Sequence, residues 1–121
     1  MNDMLKIGVI GSRGFNDYKL VCDTLNPYKE KLYQIVSGGA RGADSLGEKW
    51  ANENHVKTLI HLPDWDLHGK AAGFIRNELI VDDSDLIIAF WDGLSRGTEH
   101  SINLAKKKGK EVKIICFNKI F

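Results

Sequence analysis

The sequence SGGARGAD at residues 37–44 follows an apolar run over residues 32–36 and leads into an amphipathic segment. Glycine lets backbone N–H groups turn inward and approach a ligand closely, and the first turn of a following helix offers unpaired N–H donors at its positive end. A glycine-rich turn between a strand and a helix therefore predicts a site that cradles phosphate. An ordinary tight connection would have the same composition, so this loop alone leaves both interpretations open.

Strand and helix patterns alternate along the chain. Apolar runs rich in β-branched residues predict strands, and apolar residues at helical spacing predict helices. The predicted strands cover residues 5–10, 32–36, 56–60, 86–91 and 112–117, and the predicted helices cover residues 18–28, 43–54, 70–81 and 98–108. This alternation predicts an α/β fold, a three-layer Rossmann-like sandwich with a five-stranded parallel sheet. We expect a central first strand, the strand order 3-2-1-4-5, and a single domain over residues 1–121.

The composition limits the classes of partner. Seventeen Lys and Arg against sixteen Asp and Glu give a net charge of +1, which provides no overall positive field. This balance argues against a nucleic-acid partner, we expect no membrane association, and we interpret the lysine run at residues 106–108 as complementing a helix end. No stretch approaches the ~18 apolar residues of a membrane span, and no signal-peptide pattern opens the sequence. A cytoplasmic location is expected.

The cysteines and histidines form no metal-binding pattern. Cys22 and Cys116 lie far apart without a CxxC pair, and His55, His61 and His68 lack ligand-like spacing. We expect two free, buried thiols, no disulfide, no metal and no cofactor.

Three polar loops follow predicted strands one, two and four: GSRGF at residues 11–15, the loop at residues 37–44, and WDGLSRGT at residues 91–98. In open parallel sheets, ligands bind at the carboxyl ends of the strands where the strand order reverses. The first glycine of the dinucleotide fingerprint GxGxxG is replaced by Val9, and the acidic residue expected after strand two is absent, which argues against a redox NAD enzyme. No GxxxxGK[ST] sequence is present, which argues against a P-loop.

These loops, with further motifs, resemble the SLOG superfamily, which includes the LOG-type phosphoribohydrolases and the DprA/Smf proteins, and above all its YspA-type branch. The motifs that carry the resemblance are Gly11-Ser12-Arg13 with Phe15, residues 37–44, Trp50-Ala51, Asp64-Trp65, Gly69-Lys70, Ala72-Gly73, Arg76-Asn77, residues 90–93, Ser95, Gly97-Thr98 and His100. The resemblance implies a Rossmann-like domain that binds a nucleotide or a nucleotide-derived molecule such as ADP-ribose. It also suggests a homodimer or larger homo-oligomer, by analogy with relatives.

The resemblance also suggests catalytic candidates. LOG-type enzymes use a helix arginine and a glutamate from a GGxGTxxE loop to release ribose 5-phosphate from nucleoside monophosphates. Arg76 corresponds to the arginine; we place the glutamate at His100, with Glu99 one residue early and about 100° away around a helix. A carboxylate stabilises the positive charge that develops on the ribose, whereas a protonated imidazole opposes it. Asp44 or Asp92 is an alternative source of the carboxylate. Asp44 could instead be a helix-start residue that complements the helix dipole, and Arg76 could instead form a surface ion pair.

Three functions remain open at this point: a binding module that acts as a sensor or sequesters its ligand, an N-glycosidic hydrolase that uses Arg76, Glu99 and His100, and a single-stranded DNA binder. In the last, Phe15, Trp65 or Trp91 would stack on bases. Residues 62–70 are interpreted as a lid over the site. The residues predicted to contact the ligand are Gly11, Ser12, Arg13, Phe15, Ser37, Gly38, Gly39, Ala40, Arg41, Asp44, Trp65, Lys70, Arg76, Asn77, Trp91, Asp92, Ser95, Gly97 and Thr98.

Overall fold

The computed structural model describes residues 4–117. Strands and helices alternate as the sequence predicts, around one sheet. The strands are β1 (Leu5–Gly11), β2 (Leu32–Ser37), β3 (Lys57–Ile60), β4 (Leu86–Trp91) and β5 (Glu111–Cys116). The helices are α1 (Tyr18–Leu25), α2 (Ala43–Glu53), α3 (Trp65–His68), α4 (Ala72–Asp82) and α5 (Arg96–Lys107).

The sheet has the order β3-β2-β1-β4-β5, and every neighbouring pair is parallel, which confirms the predicted Rossmann-like topology. Gly11 at the end of β1 is level with Phe90 of β4. The chain leaves β1 between its two neighbours β2 and β4, at the point where the strand order reverses. The loops that follow these three strands therefore meet at one edge of the sheet.

Apolar side chains alternate between the two faces of the central strands. Ile7 and Val9 of β1 lie with Ile88 and Phe90 of β4 in one fully buried cluster, which α1 and α2 cover. Ile10 of β1 and its neighbours on β4 lie in a second cluster, which α4 and α5 cover. Since successive residues of a strand point to opposite faces, this pattern builds the predicted three layers.

Several element boundaries differ from the sequence prediction. Helix α1 ends at Leu25 and continues as 3₁₀ helix over Asn26–Lys31, because Pro27 has no N–H to donate within an α-helix. Helix α5 begins at Arg96 rather than at residue 98. β5 covers Glu111–Cys116, one residue earlier than predicted. The expectation of two buried thiols was wrong: both cysteines are free, but Cys116 is exposed and Cys22 is half-buried.

The segment interpreted as a lid contains regular structure. Asp64 caps the short helix α3, because its Oδ1 accepts the N–H of Leu67 at 3.0 Å. A 3₁₀ turn over Gly69–Ala71 then leads into α4, so the predicted helix 70–81 begins two residues late. Within residues 4–117, no helix has the length and apolar character needed to cross a membrane.

Gly42 brings the loops after β1 and β2 into direct contact. Its φ is +80°, and a Cβ at this position would lie 2.3 Å from the carbonyl oxygen of Ser12 and 2.6 Å from that of Arg13. Ala43 then donates its N–H to the same Ser12 oxygen at 3.4 Å. Only glycine combines this backbone conformation with this close approach.

We predict that Gly42→Ala destabilises the fold by about 2 kcal/mol or more, because it adds backbone strain and a clash with two carbonyl groups. Gly14→Ala in the neighbouring loop is the control, since a Cβ there meets nothing within 4 Å. We expect the free energy of unfolding of the control to lie within about 0.5 kcal/mol of the wild-type value. Urea unfolding measures both, and equal stabilities for the two variants would contradict the role assigned to Gly42.

Candidate functional site

A cavity of about 420 Å³ lies at the carboxyl edge of the sheet, between the loops after β1 and β4 and the helices α2, α4 and α5. Its volume falls within the range of small-molecule sites. The predicted residues that line it are Gly11, Ser12, Arg13, Ala40, Asp44, Arg76, Asn77, Asp92, Ser95, Gly97 and Thr98. The structure thus brings together most of the residues predicted from three separate loops and one helix.

A hydroxyl network ties the loop after β4 to the loop after β1. The buried hydroxyl of Ser12 accepts the N–H of Asp92 at 3.1 Å and the hydroxyl of Ser95 at 2.9 Å. The Asp92 carboxylate accepts the N–H groups of Leu94 and Ser95, both at 2.8 Å. These two bonds are the main reason that the pKa of Asp92 is lowered. Asp92 is therefore an ionised residue that holds the loop in place.

The N-terminus of α5 opens into this cavity. The first intrahelical bond runs from the N–H of Glu99 to the carbonyl of Ser95, and no side chain caps the helix. Among the described residues, the N–H groups of Arg96, Gly97 and Thr98 have no hydrogen-bond partner in the chain, and all three residues line the cavity. The positive end of a twelve-residue helix is thus available to an anion.

The glycine-rich loop does not offer the phosphate cradle that its sequence predicts. Gly38 and Ala40 donate their N–H groups to Oδ2 of Asp44, at 3.0 and 3.3 Å. Gly39 donates to the hydroxyl of Ser37 at 3.2 Å. The donors that were expected to hold a ligand phosphate therefore bind two side chains of the protein itself. The N-terminus of α5, in contrast, keeps its N–H groups unpaired within the described residues.

Asp44, which is buried, and Arg76, which is half-buried, form the charged part of the cavity wall. Burial raises the pKa of Asp44 to about 6, against the opposing effects of the Ala40 N–H, the Arg76 charge and the Gly38 N–H. Arg76 donates to the carbonyl oxygen of Gly38 at 2.8 Å and to the side chain of Asn77 at 3.0 Å. Burial lowers the pKa of Arg76, the Asp44 charge raises it, and the like charge of Arg13 lowers it further. Arg76 therefore lines the cavity and bonds to the backbone, rather than forming a surface ion pair.

A second cavity of about 250 Å³ adjoins the first, because Arg13, Ala40 and Arg76 line both. The other residues that line it are Gly38, Gly39, Arg41, Leu62, Pro63 and Trp65. Four predicted ligand contacts, Gly38, Gly39, Arg41 and Trp65, thus lie in this second cavity and not in the first.

Several predicted residues line neither cavity. Phe15 is 2% exposed and stacks on Phe90 with ring centroids 4.7 Å apart, so its assignment as a ligand contact or base platform was wrong. Trp91 donates its indole N–H to the carbonyl of Ser95 at 3.1 Å. Lys70 is exposed outside both cavities, and Ser37 is buried against Glu48.

The two residues proposed as catalytic on α5 also lie outside the cavities. Glu99 is exposed, while His100 packs against Phe74 with ring centroids 4.6 Å apart and lies 3.4 Å from the side chain of Asn77. The alignment that placed the glutamate at His100 was off by one residue: the spacing GTxxE, counted from Thr98, reaches Ser101. Ser101 is 3% exposed and lines the first cavity. A correct count along the motif identifies it from the sequence.

Other lining residues carry weaker sequence signals. Arg96, Gly14, Ile10 and Ile80 also line the first cavity. Arg96 and Gly14 lie inside loops already identified, whereas Ile10 and Ile80 are apolar residues whose pattern indicates only burial. Within residues 4–117, no cluster of three or more His, Cys, Asp or Glu side chains is arranged to hold a metal ion.

Comparison with known families assigns the chain to one of them. The model of the YspA, cpYpsA-related SLOG family (YAcAr) matches residues 5–68. The chain belongs to this family. The Gene 61 protein of Mycobacterium phage D29 is 36% identical over 118 residues, covering 88% of this chain and 92% of the phage protein.

Solved structures of other proteins share the fold of this family member. DNA processing protein A (DprA) from Streptococcus pneumoniae has a TM-score of 0.81 at 21% identity, and the match covers 97% of this chain but about half, 52%, of DprA. DprA from Helicobacter pylori, described as having a unique single-stranded DNA binding mode, has a TM-score of 0.72 at 26% identity over 93% of this chain and 65% of that protein. TM1055 has a TM-score of 0.69 at 22% identity over 90% of this chain and 72% of that protein.

Because the pKa of Asp44 is raised, we predict that the difference in stability between the wild type and Asp44→Asn changes with pH. Because its pKa in the fold, about 6, lies above the ordinary 3.8, the folded state binds this proton more tightly than the unfolded chain does. The resulting stabilisation is complete below about pH 4 and is lost as the pH rises through 6. Relative to Asp44→Asn, the wild type should therefore lose up to about 3 kcal/mol between pH 4 and pH 7.

Urea unfolding of both proteins across this pH range measures the difference. Asp92→Asn is a control of opposite sign, because the pKa of Asp92 is lowered and its charge stabilises the fold as the pH rises. A pH-independent difference between the wild type and Asp44→Asn would show that the pKa of Asp44 is not raised.

Proposed function

We propose that this chain binds a nucleotide or nucleotide-derived small molecule in the first cavity and acts as a sensor or a sequestering module. The observation that carries the proposal is the N-terminus of α5, whose three unpaired N–H groups belong to residues that line the same cavity as Arg13, Arg76 and Arg96. Unpaired helix donors and guanidinium groups are a combination that binds phosphate.

The residue at the position of the LOG-type glutamate favours binding over cleavage. Ser101 occupies this position, and a hydroxyl supplies no negative charge to a developing ribosyl cation. Glu99 and His100 line neither cavity, so they support no contact with a ligand there. This arrangement keeps the residues for phosphate recognition and lacks the paired acid.

Removing one cavity arginine should weaken phosphate binding selectively. We predict that Arg13→Gln lowers the affinity for AMP and ADP-ribose about tenfold or more, because a hydrogen bond to a charged group is lost. Lys70→Gln removes the same charge from an exposed residue outside both cavities and should change the affinity less than twofold. Calorimetric titration measures both, and chromatography of the recovered ligand shows whether it remains intact.

A hydrolase is the second candidate, and the position of Asp44 is the observation that favours it. This carboxyl lines the first cavity beside Arg76, and burial raises its pKa to about 6, near the pH at which a proton-transfer group works best. In this alternative, Asp44 supplies the carboxylate that the glutamate supplies in LOG-type enzymes.

If Asp44 performs hydrolysis, the wild type releases ribose 5-phosphate from AMP or an N6-substituted AMP, and Asp44→Asn abolishes the release while it still binds the nucleotide. Activity should rise as the pH increases through about 6, where the carboxylate forms. Chromatography of saturated reactions measures the product. Intact nucleotide after prolonged incubation with the wild type would leave the binding function alone.

Single-stranded DNA is the third candidate. The likeness to the Helicobacter pylori DprA, described by its single-stranded DNA binding mode, weighs against the exclusion of nucleic acid from the net charge alone. The arginines of the first cavity and the exposed indole of Trp65 are the groups that a strand would contact. Oligothymidine titrations at increasing salt test this candidate, because contacts to several phosphates give a steep loss of affinity with salt.

A further inference from the structure

The two adjoining cavities differ in chemistry. The first is lined by arginines, hydroxyls and the N-terminus of α5, whereas the second has a wall of Leu62, Pro63 and Trp65. Leu62 is 70% exposed and Trp65 is 55% exposed. Large apolar surfaces of this kind, open to water beside a charged cavity, mark a place where a ligand covers them.

The indole of Trp65 lies beside the start of α4. Trp65 is the first residue of α3, which Asp64 caps through the N–H of Leu67 at 3.0 Å. At the start of α4, a Cβ on Gly73 would lie 3.7 Å from Cη2 of the indole, so the ring rests beside a residue without a side chain. Because its backbone belongs to a capped helix and its ring has few rotatable bonds, the indole can serve as a stacking platform at little entropic cost.

The opposite part of the apolar wall rests on the glycine-rich loop. A Cβ on Gly39 would lie 2.6 Å from Cδ2 of Leu62, so the leucine side chain occupies the space that this glycine leaves open. The positive φ of Gly39, +71°, belongs to the same turn. The loop that was expected to cradle phosphate therefore supports an apolar surface.

We propose that the second cavity is a nucleobase site, in which the base stacks on Trp65 and packs against Leu62. The sugar and phosphate then pass Arg13, Ala40 and Arg76, which line both cavities, and the phosphate reaches the N-terminus of α5. This inference rests on the proposed binding function and specifies it further: the ligand carries a planar aromatic group at one end and a phosphate at the other. Base stacking on an aromatic side chain accepts any nucleobase.

The test compares ligands with and without a base. Ribose 5-phosphate and AMP are titrated into the wild type, Trp65→Ala, Trp65→Phe and Leu67→Ala. Leu67 is the matched control because it lies on the same helix, is 72% exposed and lines neither cavity. Tryptophan fluorescence provides a second signal, since the indoles of Trp50 and Trp91 already donate hydrogen bonds within the protein and Trp65 is the exposed one.

We expect AMP to bind the wild type more tightly than ribose 5-phosphate and to quench its fluorescence. Trp65→Ala should lower the affinity for AMP about tenfold while leaving that for ribose 5-phosphate unchanged. Trp65→Phe should recover most of the affinity, because it restores a ring. Leu67→Ala should match the wild type, and circular dichroism confirms that each variant is folded.

The outcomes separate this inference from the function on which it rests. If ribose 5-phosphate and AMP bind equally and Trp65→Ala changes neither, the nucleobase site is wrong while phosphate binding stands. If neither molecule binds and only short oligothymidine does, the small-molecule function fails. If Trp65→Ala lowers the affinity for that oligonucleotide, the nucleobase site is still supported. The base that occupies it then belongs to a strand rather than to a free nucleotide.

Discussion

The arrangement of Asp44 and Arg76 in the cavity wall depends on the backbone N–H and carbonyl of Gly38. The Gly38 N–H donates to Asp44, its carbonyl oxygen accepts from Arg76, and a Cβ would lie 2.6 Å from the Arg76 guanidinium and 2.9 Å from the Asp44 carboxylate. The Asp44 carboxylate is buried and the Arg76 side chain is half-buried, and a buried charge is tolerated only where it is paired and hydrogen-bonded. One residue without a side chain thus fixes the loop after β2 against α2 and α4.

This arrangement decides which parts of the site remain free for a ligand. Asp44 and Arg76 largely offset one another across Gly38, so Arg13 and Arg96 contribute most of the uncompensated charge, beside the unpaired N–H groups of α5. The Asp44 carboxylate loses its hydration when it lies inside the glycine-rich loop. This desolvation is unfavourable for the charged form and is the largest influence on the pKa of Asp44. The loop gains a fixed shape in return, and that shape supports Leu62 through Gly39.

The sequence predicts the fold well because strand patterns and alternation are local, repeated signals, and right-handed crossovers leave few possible orders. The topology also predicts which edge of the sheet carries the cavity. It does not predict the direction of individual N–H groups, because with the same sequence Gly38 and Ala40 can turn theirs toward a ligand or toward Asp44. Burial is similarly ambiguous for an aromatic residue in a loop: Phe15 lies in the core, whereas Trp65 lies in a cavity wall.

The shared fold with DprA does not decide between a nucleic-acid strand and a small molecule, because loops on a Rossmann-like scaffold determine the ligand. Charge placement is more informative. A strand needs positive groups along its length, but the lysine run at residues 106–108 lies at the opposite end of α5 from the cavity, about 15–18 Å away. Within this run, Lys108 bonds to Glu78 at 2.8 Å and to Asp82 at 2.5 Å, and these two carboxylates offset the charge of Lys108. Three of the four arginines, Arg13, Arg76 and Arg96, line the first cavity, and this grouping supports the proposed compact anionic ligand over an extended strand.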